Sequence, residues 1–234
     1  MTAGGRLFAV GEAAASHGVY RPGGTALNAG QVGSTRAAQY IAARCRGDAS
    51  VGFDAAASAA LAEMAALADA CRADTGNVRA LWQHAAEEMS RCGAAIRDPA
   101  QIRAYGKQVE AQLADFAQTV KAGSRTELAM LYRLRDMLLS QRAYLTAMTD
   151  YTVHGGKSRG SALHTDLTGG VKPFGQLPDT FTFALDETEN PLVQELWYED
   201  GVCRTAWRAP RPIPGDDDFF ENVWRSYRET GNID

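Results

Sequence analysis

The 234-residue chain is 45% apolar and 22% charged, a balance that supplies a sizeable core and excludes intrinsic disorder or a collagen-like fibre. No window of 18 consecutive apolar residues occurs and no charged-then-apolar leader opens the sequence, so neither a membrane span nor a signal peptide is expected. A net charge of −4 gives no reason to expect a nucleic-acid partner.

Near the start, Arg6-Leu7-Phe8-Ala9-Val10-Gly11-Glu12 predicts a short buried strand that ends in Gly-Glu. A polar loop from Ala13 to Tyr20 and the turn Arg21-Pro22-Gly23-Gly24-Thr25 lead into a helix from Ala26 to Cys45. Adjacent glycines let a backbone approach a flat ligand, and the first amides of a helix have no partner inside it, so they can donate to an anion or a carbonyl. On these features alone, a glycine-rich turn before a helix is more often purely structural.

The middle of the chain reads as successive amphipathic helices, and 37 of the 41 alanines lie in its first 150 residues. Phe53, Ala57, Leu61, Met64, Leu67 and Cys71 recur at three- and four-residue steps. So do Val78, Leu81, Ala85, Met89, Cys92 and Ile96, and then Ile102, Tyr105, Val109, Leu113, Phe116 and Val120. Leu131, Leu134, Leu138, Leu145 and Met148 form a fourth stripe. Each spacing turns one apolar face toward a shared core. Breaks fall at Asp74-Thr75-Gly76-Asn77, Asp98-Pro99 and Gly123-Ser124, and such short links favour an antiparallel helical bundle.

The last part differs in composition. Six of the eight prolines lie from Pro173 onward, and residues 179–234 carry 13 acidic against 5 basic side chains. Glu199-Asp200-Gly201 between two β-prone runs predicts a hairpin. Pro210, Pro212 and Pro214 should end the pairing, and Asp216-Asp217-Asp218 suits the start of a final helix with Phe219, Val223, Trp224 and Tyr227 on its buried face. Cys45, Cys71, Cys92 and Cys203 form no CxxC pair, so neither a metal site nor a dithiol is expected, and a reduced cytoplasmic setting is the simplest expectation.

Two groups of motifs go further. Gly11-Glu12, His17-Gly18, Arg21, Gly23-Gly24, Leu27-Asn28 and Arg36-Ala37-Ala38 together resemble the last FAD-binding segment of the succinate dehydrogenase/fumarate reductase flavoprotein family, which includes L-aspartate oxidase. The helix containing Leu138 to Tyr151 leads into Lys157-Ser158-Arg159-Gly160 and His164, which resembles the Glu-Ser-Arg-Gly-x-His stretch after that family's helical bundle. Pro22 and Lys157 depart from the family's usual leucine and glutamate and mark a divergent branch.

The resemblance implies that Glu12 accepts hydrogen bonds from flavin ribityl or ribose hydroxyls. It implies that the amides of Ala26 and Leu27 face the flavin N1–C2 carbonyl edge, where a helix N-terminus favours the reduced flavin. It also implies that Arg21 clamps a substrate carboxylate, and that His17 adds a hydrogen bond to substrate. Ser158 and Arg159 read more readily as a helix-end loop than as catalytic residues. No G-x-G-x-x-G unit and no capping domain occur in the sequence, so the chain is expected to be the C-terminal portion of a longer flavoprotein.

The expected fold is mainly α: residues 1–50 as the end of an α/β FAD-binding domain, 51–155 as the bundle, and 156–234 as an acidic tail with a β-hairpin and a terminal helix. The implied function is FAD-dependent oxidation or reduction of a carbon–carbon bond next to a carboxylate. The implied partners are a small carboxylate, the remainder of the FAD-binding and capping domains, and an electron-transfer subunit. The alternative is a non-catalytic helical module that docks on a flavoprotein or an electron-transfer partner.

Overall fold

The computed structural model describes residues 7–14, 25–45, 52–160, 162–185, 192–210 and 219–231. They fall into two compact units, one of Asp54–Pro210 and one of Met1–Phe53 with Arg211–Asp234. The chain is mainly helical, with a C-terminal hairpin followed by a helix. No helix among the described residues is long and apolar enough to cross a membrane.

The larger unit is built on α2 (Phe53–Ala70), α3 (Val78–Gly93), α4 (Pro99–Ala114), the single turn α5 (Phe116–Thr119) and α6 (Arg125–Val153). Its core joins Val78, Ala85 and Cys92 of α3, Ile102, Tyr105 and Val109 of α4, and Leu131, Leu134, Leu138 and Leu145 of α6. These are the predicted stripes, brought face to face. Gly106 lies against Leu145 and Glu110 beside Arg142, so α4 runs antiparallel to α6. Gly76 meets Glu127 and Gly93 meets Met148, so α3 runs the same way as α6.

Side chains start the helices where the sequence breaks. Asp98 caps α4 by accepting from the amides of Ala100 (2.7 Å) and Gln101 (3.2 Å), with Pro99 in the first turn where its missing N–H costs nothing. Ser124 accepts from the Glu127 amide at the start of α6, and the Glu127 carboxylate returns to accept from the Gly123 amide at 2.8 Å. Replacing Ser124 by alanine is therefore expected to cost about 1 kcal/mol of stability, read as a shift in denaturant midpoint at unchanged m-value. Asn77 ties the two ends of the bundle's connections together, donating to the Thr119 carbonyl and accepting from the Lys121 amide.

The first stripe behaves differently from the other three. α2 buries none of its residues, and Phe53, Leu61 and Met64 are exposed. Only Leu67 packs on the core, with Cys71 just beyond the helix buried in it. The periodicity gives α2 an apolar face, but only its C-terminal end reaches the other helices.

Beyond α3, Ile96 and Arg97 form β1, which pairs in parallel with β2 (Leu163–His164). Ile96, expected on the α3 stripe, is therefore in a strand and exposed. β3 (Val193–Glu199) and β4 (Val202–Arg208) form the predicted hairpin, with Glu199 opposite Val202. Asp200 and Gly201 have φ of 50° and 81°, a pair of left-handed residues that matches the twist of the strands. The hairpin packs on α6 within the larger unit.

The smaller unit contains α1 (Thr25–Arg44), close to the predicted helix, and α7 (Phe219–Thr230). Tyr227 of α7 is buried, Val223 and Trp224 are half-buried, and the side chain of Phe219 lies outside the described residues, as do Asp216, Asp217 and Asp218. The Arg36 guanidinium stands 5.2 Å over the Trp224 ring, and Arg44 donates to the Thr230 carbonyl at 2.9 Å. Leu7–Val10, predicted as a buried strand, pairs with no strand among the described residues, and Leu7 is exposed. An extended segment becomes a strand only when a neighbouring edge takes its hydrogen bonds. Gly11–Ala14 is a short 3-10 turn.

Candidate functional site

The segment before α1 lies along that helix in reverse. Phe8 meets Tyr40 with ring centroids 5.6 Å apart, Val10 packs at Gly33, and Gly11 packs at Gly30. A Cβ on Gly11 would come within 3.2 Å of the Gly30 Cα, and Gly11 has a φ of +61°, so both crowding and backbone favour glycine there. The successive contacts approach the start of α1. Gly30 is five residues from Thr25, about 7.5 Å along the axis at the usual helical rise. Glu12 follows immediately and is exposed, as is Leu27, while Ala26 is half-buried. Glu12 and the α1 segment bearing Ala26 and Leu27 thus belong to one local assembly. His17 and Arg21 lie outside the described residues.

The second motif group makes a closed turn after α6. Ser158 is buried, and its hydroxyl accepts from the His164 amide at 2.8 Å and donates to the His164 carbonyl. Arg159 and Ala162 exchange both backbone hydrogen bonds around Gly160, which has a φ of 59°. These bonds give Ser158 a structural task. His164 is buried against Tyr151, with ring centroids 5.7 Å apart, and its Nδ1 has no hydrogen-bond partner among the described residues. Burial, with a smaller push from the Arg97 charge, holds its pKa below the ordinary histidine value.

Two polar centres on α6 carry no motif. Asp150 accepts from Gln194 Nε2 at 2.7 Å and Trp207 Nε1 at 2.8 Å, with His154 Nδ1 3.3 Å away. Burial opposes its charged form, but donation from Gln194, Trp207 and Thr205, with the nearby His154, outweighs this and lowers its pKa. About two and a half turns back along the helix are Gln141 and Arg142. Gln141 accepts from the Tyr105 hydroxyl at 2.8 Å and donates through Nε2 to the Ala85 carbonyl at 2.9 Å, a second acceptor 3.1 Å from the same hydroxyl. Burial pushes the Tyr105 phenol up to about 12. Arg142 is only 8% exposed, with its guanidinium carbon 4.9 Å over the Tyr198 ring and Nη1 3.8 Å from Glu110. The sequence signals neither centre, since arginine and aspartate at these positions read as an ordinary solvated helix face; the one cue is the β-prone hairpin that has to dock somewhere.

Among the described residues, no group of three or more His, Cys, Asp or Glu side chains is placed to hold a metal ion. No family model, no curated protein and no solved structure matches the chain.

Proposed function

We propose that the chain forms the C-terminal portion of a FAD-dependent oxidoreductase that acts on a carbon–carbon bond next to a carboxylate, like the succinate dehydrogenase/fumarate reductase flavoproteins that its motifs resemble. The observation that carries this reading is the reversed lay of Phe8, Val10 and Gly11 along α1 toward its first turn. It supports a single edge made of the Glu12 carboxylate and the α1 N-terminus. The residues fit the group: an exposed carboxylate can accept from sugar-like hydroxyls, and helix-end amides can donate to a carbonyl edge.

In this reading Glu12 holds the ribityl or ribose hydroxyls, and the Ala26 and Leu27 amides orient the flavin ring edge. Arg21 and His17 carry the substrate carboxylate on the strength of the sequence motif. Bound FAD supplies hydride exchange at its N5. The exposed Leu7 and Ile41 are covered by the remainder of the FAD-binding domain. The fold reading that goes with this is the end of an α/β FAD-binding domain, cytoplasmic and able to meet an electron-transfer subunit. A second reading, a helical docking module without catalysis, is favoured by α2. Its exposed Met64 borders a groove of about 440 Å³ lined also by Ala60, Leu67 and Tyr132.

The chain alone is expected to lose FAD on gel filtration, because no nucleotide-binding unit holds the pyrophosphate. Co-expressed with the polypeptide encoded in frame just upstream, it should purify yellow. Glu12→Gln should then weaken flavin retention about tenfold, the effect of losing charge-assisted hydrogen bonds. A colourless complex, or undiminished retention in Glu12→Gln, would leave the docking module as the better account.

A further inference from the structure

Arg142 is buried among α4, α6 and β3, yet its Nε and Nη2 have no hydrogen-bond partner among the described residues. Those two nitrogens form one edge of the guanidinium, the fork that grips two oxygens side by side. Nη1 is turned to a different partner, the Glu110 carboxylate at 3.8 Å, which is itself largely exposed. The Tyr198 ring, 4.9 Å from the guanidinium carbon, covers a face of the ion and leaves its edges. Burying this charge is costly, and neither a stacked ring nor a distant hydrated carboxylate replaces two lost hydrogen bonds.

We propose that the Nε–Nη2 edge of Arg142 is a binding site for a small oxyanion that presents two adjacent oxygens, a carboxylate or a phosphate. A lysine would satisfy its three donors one by one; a planar fork held under an aromatic ring selects a ligand by oxygen spacing as well as charge. Tyr198 is half-exposed on the hairpin, so its side chain is the element that has to yield for the anion to enter. The site lies in the helical bundle and stands apart from the flavin reading.

The test uses the full chain carrying nitrogen-labelled arginine, titrated with sodium acetate and separately with inorganic phosphate while chloride keeps the ionic strength constant. The Arg142 Nε–H resonance should shift saturably with one or both anions. Saturation with acetate alone assigns a planar carboxylate as the ligand, and saturation with phosphate alone assigns a tetrahedral oxyanion. Arg142→Lys keeps the charge without the fork and should abolish the thermal stabilisation that the saturating anion gives the parent. Should that variant not fold, Glu110→Gln serves in its place: removing the competing carboxylate should tighten anion binding at least about threefold. An Arg142 resonance that answers neither anion beyond the chloride control overturns the proposal and leaves water as the occupant of that edge.

Discussion

Leu134→Asp is expected to unfold the helical bundle outright. Leu134 is fully buried in the core that α3, α4 and α6 share. The substitution removes about 2–3 kcal/mol of apolar burial and leaves a cavity. It also places a carboxyl where no partner exists, which costs several kcal/mol more whether the group ionises or stays protonated. The sum is comparable to the roughly 5–15 kcal/mol that holds a domain folded. Far-ultraviolet circular dichroism on heating is the measurement. A cooperative transition at the parent's midpoint would mean that Leu134 does not face the core.

Asp150→Ala is the second large effect, expected at about 2–4 kcal/mol with the hairpin loosened rather than the whole bundle lost. The carboxylate gathers donors from both strands, Gln194 on β3 and Trp207 on β4, so its removal takes a partly buried acceptor from each strand, although Gln194 keeps the Ala147 carbonyl. Trp207 emission should move to the red. The pH dependence follows from the lowered pKa. In the unfolded chain Asp150 titrates near its ordinary value of 3.8 and in the fold below it. Its stabilising contribution is therefore complete above that value and is lost as pH falls through it toward the folded pKa. Asp150→Asn should flatten this part of the acid-unfolding profile. An unchanged profile with an unchanged Trp207 emission would show that the hairpin is held elsewhere.

What the sequence made legible was whatever depends on near neighbours. The Asp200-Gly201 turn announces its hairpin because two left-handed residues are needed there and few other pairs supply them. Asp98-Pro99 and Ser124 mark helix starts because capping is a contact within four residues. The stripes on α3, α4 and α6 mark the core because each helix is surrounded. The same arithmetic misplaced Leu61 and Met64, since periodicity names an apolar face without saying whether a neighbour covers it. Asp150 was invisible for the opposite reason: its partners stand 44 and 57 residues away, and no local pattern encodes such a meeting. Glu12 was singled out by a motif alone; the packing of its neighbour Gly11 on Gly30 is a close backbone contact that only the fold reveals.

The two ends of the sequence share the smaller unit, and this orders events during synthesis. The Arg44–Thr230 hydrogen bond spans 186 residues, and the Arg36–Trp224 stack spans slightly more. Neither contact can form until α7 has left the ribosome. The bundle's contacts close over far shorter loops and are complete well before then. A nascent chain therefore carries α1 with no α7 beside it while the whole bundle is being made.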